Sequence, residues 1–127
     1  MSIPGPSARR RLLIETVVVV AAEPSAQVAW LEKYGVAPDE IALGFDGAFP
    51  LAGQLVEEGQ LGRALLPSLR TIDEVFVEMT QDVKVDRWTR AALFTDAGWA
   101  RARRLAREVL TSEGEDDAPL PDICVIR

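Results

Sequence analysis

Residues 65–79, LLPSLRTIDEVFVEM, contain the clearest secondary-structure signal in the chain. Six apolar side chains recur there at helical spacing, and they are Leu65, Leu66, Leu69, Ile72, Phe76 and Met79. Charged residues such as Arg70 and Glu78 fall on the other faces of the same helix. An apolar stripe with a period of 3.6 residues is typical of an amphipathic helix packed on a core. The segment therefore predicts a helix with one buried face.

Residues 86–110, DRWTRAALFTDAGWARARRLAREVL, predict two more helices with a short break between them. Asp86 is the expected N-cap of a helix over residues 87–94, because a carboxylate can accept a hydrogen bond from a free backbone N–H group. Thr95 or Asp96 is the expected N-cap of the helix that follows. The buried stripe predicted for that last helix comprises Trp99, Ala102, Leu105, Ala106 and Val109.

The preceding part of the chain predicts shorter helices. Gly35 is expected to end a helix over residues 26–34, because glycine readily adopts the left-handed conformation that follows a helix. Two acids at positions 39–40 favour another helix start, although the alternation of apolar residues in IALGF also fits a short extended stretch. Asp46 is the expected N-cap of a helix over residues 47–58.

The N-terminal apolar segment is open to two interpretations. Ser7 is the expected N-cap of a helix over residues 8–22, which contains the helix-favouring sequence SARRRLL. The four valines at positions 17–20 are β-branched and also fit a strand. Such a strand would pair with the C-terminal sequence ICVIR, residues 123–127. We favour the helix and keep the strand as the alternative.

The fold expected from these elements is all-α, a small irregular bundle of about five or six helices. A chain of 127 residues with 48% hydrophobic residues has the size of one domain. We expect a flexible N-terminal arm over residues 1–6 and a single helical domain over residues 7–112. A flexible acidic tail with two prolines is expected over residues 113–127.

The composition excludes several classes of site. The chain has no histidine, no asparagine and a single cysteine, Cys124. Histidine-based catalytic triads and the usual zinc sites are therefore ruled out. No cofactor motif is present, so we predict no catalytic residue, no cofactor and no metal. An enzyme of unrecognised type that uses carboxylates, arginine or Tyr34 is kept as an alternative.

The apolar segments are too short to predict a membrane protein. The longest uninterrupted apolar run, residues 17–22, has six residues, and a membrane-spanning helix needs about 20. Glu15 and Thr16 interrupt the apolar part of the N-terminal segment, which argues against a secretion signal. A single cysteine is compatible with a reducing compartment. We expect a cytoplasmic protein that does not bind membranes.

Charge is segregated along the chain, whose net charge is −6. Residues 32–82 contain ten acidic and three basic residues, whereas residues 84–107 contain seven basic and two acidic residues. The acidic segment favours a basic protein partner, and the basic segment contains tryptophan and arginine, which are enriched in binding hot spots. The candidate partner-binding residues are therefore Asp73, Glu74, Glu78, Trp88, Arg101, Arg104 and Arg107.

The three tryptophans each lie in a predicted helix beside alanines, a pattern typical of core packing. They are Trp30, Trp88 and Trp99. The alternative is that Trp88 or Trp99 is a partly exposed anchor for a partner.

Residues 87–110 also have the outline of a helix-turn-helix, so a nucleic-acid-binding regulator is a further alternative. Ala97, Gly98 and Ala100 begin the second of these helices, and their side chains offer no hydrogen bonds to base edges. We therefore expect no specific binding to DNA.

Three stretches of the chain resemble small, mostly uncharacterised helical proteins of actinomycetes. They are WTRAALFTDAGWARARRLAREVL, DEIALGFDGAFPLAGQLVEEGQL and LPSLRTIDEVFVEM. The resemblance covers about residues 39–110. Several proteins of this group resemble immunity-type partners of secreted toxins. The resemblance implies a helical, intracellular, partner-binding protein and supplies no catalytic residue. Our leading hypothesis is a non-enzymatic, cytoplasmic protein-binding module of the kind that inhibits a basic toxin.

Overall fold

Residues 6–121 form a bundle of seven α-helices in the computed structural model, which describes this part of the chain and the side chains from residue 8 onward. The helices are α1 (Pro6–Ala21), α2 (Pro24–Tyr34), α3 (Asp39–Ala48), α4 (Ala52–Glu57), α5 (Leu66–Gln81), α6 (Arg90–Thr95) and α7 (Ala97–Ser112). Two 3-10 turns, Phe49–Leu51 and Arg63–Leu65, precede α4 and α5. No β-strand occurs in residues 6–121. The predicted all-α class is therefore confirmed.

Helix α1 packs against both α7 and α3 and contributes the valine run to the core. All four side chains of Val17–Val20 are buried. Burial on every side explains the run, because tertiary packing outweighs the modest strand preference of valine. The helical interpretation is confirmed and the strand interpretation of these valines is wrong. The strand partner considered for them, residues 123–127, lies outside the described residues.

The ends of the helices agree with the sequence prediction at Gly35 and differ from it at several predicted caps, the first of which is Ser7. Gly35 ends α2 with a φ of 64°, and its N–H donates to the carbonyl groups of the last turn, as predicted. Gly59 likewise has a positive φ after α4. Helix α1 begins at Pro6, so Ser7 lies inside its first turn and the prediction of Ser7 as N-cap is wrong.

Helices α5 and α7 form the other large part of the core. Most residues of the two predicted stripes are buried, including Leu69, Ile72, Phe76, Trp99 and Ala106, whereas Leu66 and Leu105 are only partly buried. The ring of Phe76 lies 5.4 Å from that of Trp99, and Trp88 meets Trp99 edge-on at 5.6 Å. Trp99 is therefore a core residue and not an exposed anchor. Trp30 is also buried, whereas Trp88 is only partly buried.

Helix α3 differs from the expected structure around Asp46. It extends through this residue to Ala48, so the prediction of an N-cap at Asp46 and a helix over residues 47–58 is wrong. The reason is a buried helical stripe, which outweighs both the capping preference of aspartate and the extended alternative. Its members are Ile41, Ala42, Phe45 and Ala48. Pro50 then interrupts the helix, because it has no backbone N–H to donate, and α4 follows after one 3-10 turn.

The α5–α6 loop (residues 82–89) contains Arg87 and Trp88, which the sequence analysis placed in a helix. Thr89 is the N-cap of α6, and its hydroxyl accepts a hydrogen bond from a backbone N–H at 3.0 Å. Asp86 instead accepts a hydrogen bond from the N–H of Trp88 within the loop. The prediction of Asp86 as a helix cap is therefore wrong. The hydroxyl of Thr89 and its extended backbone supply the cap three residues later.

Asp96 joins α6 to α7 and is the N-cap of α7, one of the two caps predicted for this helix. Its Oδ1 accepts hydrogen bonds from the N–H groups of Gly98 at 2.7 Å and Trp99 at 3.4 Å. Arg87 donates two more hydrogen bonds to this carboxylate, from Nε to Oδ2 at 2.8 Å and from Nη2 to Oδ1 at 3.1 Å. The hydrogen bonds from Arg87 are the main reason that the pKa of Asp96 lies below its ordinary value. One carboxylate thus fixes the α5–α6 loop to the start of α7.

Arg103 is buried, an arrangement that the sequence analysis missed. It donates hydrogen bonds to the backbone carbonyl groups of Ala22 and Leu93 and to the side-chain oxygen of Gln27. Burial lowers its pKa, although the group stays a cation. These hydrogen bonds join α7 to α6 and to the corner between α1 and α2. Its position four residues after Trp99, on the buried face of α7, is the sequence signal of this burial.

Residues 113–121 lie against α1 and α2. Arg10 donates to Glu113 at 3.1 Å and to Glu115 at 3.0 Å, and Trp30 Nε1 donates to the carbonyl oxygen of Pro121 at 2.9 Å. This part of the predicted tail is therefore in contact with the bundle. The boundaries predicted for the arm, the domain and the tail, and the flexibility of the tail, stay predictions.

We expect Asp96→Ala to lower the free energy of unfolding at pH 7 by about 2–4 kcal/mol, because it removes an N-cap and the charge-assisted hydrogen bonds from Arg87. The control is Asp86→Ala, an exposed carboxylate in the adjoining loop, for which a change within about 0.5 kcal/mol is expected. Urea denaturation measures both variants.

The same comparison should depend on pH. Because the folded-state pKa of Asp96 is lowered, its stabilisation is fully present above the ordinary aspartate pKa of about 4 and is lost as the pH falls toward the folded value. The difference between the wild type and Asp96→Ala should therefore shrink at acidic pH. A difference that stays constant between pH 7 and pH 3 would contradict this assignment.

Candidate partner-binding groove

An open groove of about 620 Å³ lies between α3 and α5 and is bordered by the α5–α6 loop. Its lining residues are Asp39, Ala42, Leu43, Asp46, Asp73, Phe76, Val77, Thr80, Gln81 and Trp88. We refer to this site as the α3–α5 groove. Phe45 of α3 and Phe76 of α5 meet edge-to-face, with ring centroids 6.0 Å apart, where the two helices approach each other.

The periodicity of the two helices brings these side chains to the groove. On α3, Asp39, Leu43 and Asp46 follow each other at helical spacing, beside the buried stripe. On α5, Asp73, Val77 and Thr80 have the same spacing. Each helix therefore has a core face and, next to it, a face that lines the groove. The local sequence patterns that bury Phe45 and Phe76 thus also position the acids.

Large apolar side chains are exposed in the groove. Leu43 is 59% exposed and Val77 is 47% exposed, although both occupy helices with a well-filled core face. Trp88 is partly buried, and its ring lies 6.1 Å from that of Phe76. In the adjoining loop Val83 and Val85 are exposed as well. Clustered apolar side chains on a concave surface are characteristic of a binding site, whereas a single exposed side chain is not.

The electrostatics of the groove are one-sided. Three carboxylates line it, from Asp39, Asp46 and Asp73, and none of its described lining residues is basic. Burial raises the pKa of Asp73 above its ordinary value, and repulsion from Asp46 and Glu74 raises it further. A cation placed at Asp73 would relieve this repulsion. The site is therefore suited to a ligand that combines positive charge with apolar surface.

The structure separates the predicted site residues into several groups. Asp73 and Trp88 both line the groove, and exposed Glu74 adds negative charge near Asp73. Glu78 lies outside the lining, with a carboxylate oxygen 3.9 Å from a guanidinium nitrogen of Arg87. One of the three acids and one of the two aromatic residues of the groove were therefore predicted as site residues.

The three predicted arginines lie on α7, away from the groove lining. Arg107 is paired with Glu23 and also donates to the carbonyl oxygen of Ala21. Arg101 and Arg104 are exposed, and no acid in the described residues lies within ion-pair distance of them. The arginines and Trp88 thus do not form one site.

Most of the groove lining was not predicted from the sequence, including Asp39, Leu43, Asp46 and Val77. Their helical spacing was a usable signal, but the assignment of Asp46 as a cap broke α3 into two parts. Leu43 and Val77 lie outside the buried stripes of their helices, and such isolated apolar residues are common at surfaces. Only the approach of α3 to α5 makes them neighbours.

The described residues contain no group of three histidine, cysteine or acidic side chains close enough to hold a metal ion. No single helix in residues 6–121 is long and apolar enough to cross a membrane. The pair formed by residues 8–21 and 24–34 has a sufficient length and composition, but it is bent by 119°.

Comparison with known proteins finds no matching family model, no similar curated protein and no similar solved structure. The resemblance to helical actinomycete proteins stays a prediction.

The groove carboxylates should oppose folding slightly. We expect Asp73→Asn to raise the free energy of unfolding at neutral pH, on the order of 0.5 kcal/mol, because it removes a partly desolvated charge beside two other acids. Since the folded-state pKa of Asp73 is raised, the gain should be present at pH 7 and vanish below about pH 4. Glu108→Gln, the same charge change at an exposed site on α7, should give no gain. Destabilisation by Asp73→Asn would show that this carboxylate has a structural role instead.

Proposed function

We propose that this chain is a non-enzymatic protein-binding module and that the α3–α5 groove takes a basic and apolar segment of a protein partner. One observation carries the proposal: three carboxylates surround exposed apolar side chains in a groove whose described lining includes no basic residue. A structural role would favour the opposite arrangement, with each carboxylate paired and the apolar side chains covered.

The two kinds of side chain contribute differently to binding. Covering Leu43, Val77 and Trp88 removes apolar surface from water, which provides affinity at roughly 25 cal/mol per Å² before the cost of association is subtracted. The carboxylates contribute mainly to selectivity and to the rate of encounter with a positively charged partner. A net charge of −6 for the whole chain acts in the same direction.

More specifically, we propose that this module inhibits a basic toxin in the cytoplasm. Such an inhibitor needs no catalytic group and acts by covering the surface of its target. The acidic groove supplies complementary charge, and residues 32–82 supply the long-range attraction.

The nucleic-acid alternative has less support. In a helix-turn-helix the start of the second helix must be exposed to reach base edges. Here Gly98 and Trp99 occupy the buried face at the start of α7, and the exposed Ala97 and Ala100 offer no hydrogen bonds to base edges. The enzyme alternative also has less support, because the carboxylates of Asp46 and Asp73 lie in an open groove and not in a deep cleft that would shield a reaction from water.

Photo-cross-linking tests the proposed binding surface. A benzoylphenylalanine in place of Val77 should cross-link to one protein in extracts of the source organism, because that side chain lies in the groove. The matched control is the same replacement of Leu12, which is 50% exposed on α1 and does not line the groove. The recovered protein is then purified and titrated against the wild type and against the double variant Asp46→Asn, Asp73→Asn.

The titration has a matched control in Glu57→Gln, Glu108→Gln, which removes the same charge from exposed positions outside the groove. We expect affinity to fall about tenfold or more in the groove variant and to change little in the control. Equal cross-linking at Val77 and Leu12, or equal affinities of the two double variants, would contradict the proposal.

We also expect no specific binding to duplex DNA. Fluorescence anisotropy with mixed-sequence and genomic oligonucleotides should show at most weak binding that is lost as salt increases, because phosphate contacts alone are salt-sensitive. Tight, salt-tolerant binding that disappears in Arg101→Ala, Arg104→Ala would contradict this expectation and favour the regulator.

A further inference from the structure

We propose that the segment bound in the α3–α5 groove is about two turns of an amphipathic helix whose basic, N-terminal turn lies against Asp46 and Asp73. Its apolar side chains then point toward Phe76 and Trp88. This inference rests on the proposed function and specifies the chemistry and direction of the occupant.

The two ends of the groove differ in charge. Asp46 repels Asp73, so the C-terminal part of α3 faces the middle of α5. The opposite end of the groove is formed by Asp39 together with the neutral side chains of Thr80 and Gln81. One end therefore has two neighbouring acids and the other has one.

The helix dipole of α3 increases this difference. Asp39 is the first residue of α3, where the partial positive charge of the helix N-terminus offsets a carboxylate. Asp46 lies near the C-terminal end of α3, where the partial charge is negative and adds to that of the carboxylate. Thr80 and Gln81 end α5, so the dipole of that helix places an opposing negative partial charge at the Asp39 end. The carboxylates therefore decide the difference, and two against one make the Asp46–Asp73 end the more negative end of the groove. It favours a positively charged side chain and the positive, N-terminal end of a bound helix.

The walls of the groove favour a helix over an extended segment. Both walls are α-helices, whose backbone N–H and C=O groups are already bonded within the helix. Residues 6–121 contain no strand edge to which an extended segment could add. The backbone of an extended segment would lose water without gaining partners in the groove, whereas a helix satisfies its own backbone. A helix can also place its side-chain ridges between those of α3 and α5.

The length of the groove sets the length of the occupant. The spacing from Asp39 to Asp46, and likewise from Asp73 to Thr80, corresponds to about 10 Å along a helix at roughly 1.5 Å per residue. Two helical turns cover this distance. Apolar side chains one turn apart on the bound helix would then contact Leu43, Val77 and Trp88. A lysine or arginine would lie in the preceding turn of that helix.

Two synthetic peptides test the proposal on the full chain. Both are alanine-based, stapled helices of about 14 residues with blocked termini and identical composition. The forward peptide has two arginines in its first turn, followed by leucines one turn apart. The reversed peptide has the same side chains in the opposite order. Anisotropy gives their affinities, and amide shifts in an NMR spectrum locate the site.

The forward peptide should bind at least about fivefold more tightly than the reversed one, because only it aligns both its charge and its dipole with the acidic end. Amide shifts should cluster around Leu43, Val77 and Trp88. Asp46→Asn, Asp73→Asn should abolish the preference for the forward peptide, and Glu57→Gln, Glu108→Gln should retain it. If the groove variant fails to fold, the affinities of the two peptides for the wild type still test the proposed direction.

Equal affinity of the two peptides would overturn the proposed direction. Failure of both peptides to perturb the groove, while a protein cross-links through Val77, would overturn the helical occupant and leave the proposed function standing. Failure of both experiments would remove the proposed function as well. Self-association of the chain that is lost in the groove variant would assign the groove to a second copy and overturn the proposal.

Discussion

The forked hydrogen bonds from Arg87 to Asp96 fix the one wall of the α3–α5 groove that is not helical. Apart from one hydrogen bond to Trp99, the remaining side-chain hydrogen bonds of the α5–α6 loop are short-range, so the position of this loop and of Trp88 depends mainly on Arg87 and Asp96. The carbonyl oxygen of Arg87 also accepts the indole N–H of Trp99 at 2.9 Å. Trp88 is thereby placed between the core and the groove.

The close approach at Gly98 follows from the same interaction. A Cβ atom at this position would lie 2.6 Å from Nη2 of Arg87 and 3.0 Å from Sδ of Met79, so a side chain would displace the guanidinium group. Gly98 is therefore packed too closely for a side chain, and the face of α7 that contains it is not available as a recognition surface. A wall held in this way is also preorganised, which reduces the entropy lost when a partner binds.

Periodicity in the sequence was sufficient to predict the fold class, but competing local signals led to errors within it. The stripes of α5 and α7 were recognised because many large apolar residues repeat at one spacing. Asp46 and Asp86 were assigned as caps because aspartate is a good cap wherever a helix starts, and the sequence alone does not show which starts are used. Arg103 was missed since its burial depends on acceptors from Ala22 and Leu93, which are distant in sequence.

The candidate site was harder to predict than the fold, because the charge of a segment does not show which of its acids have partners. The structure pairs Glu58 with Arg9 and Glu32 with Arg90, so part of the acidity of residues 32–82 stabilises the bundle. A count of charges alone would assign Glu32 and Glu58 to a partner-binding surface as readily as the groove acids. Partly exposed ion pairs of this kind contribute little to stability, but they do neutralise the acids that form them.

What distinguishes the groove is that its acids are left together at a cost to folding. Repulsion from Asp46 and partial burial both disfavour the charged form of Asp73, and no basic residue of the described groove lining offsets them. Arg87, in the α5–α6 loop that borders the groove, is engaged by Asp96. The arrangement does not stabilise the free chain, whereas a bound cation would be attracted by both carboxylates at once. The unfavourable charge of the free groove is therefore the part of the structure that a binding function explains.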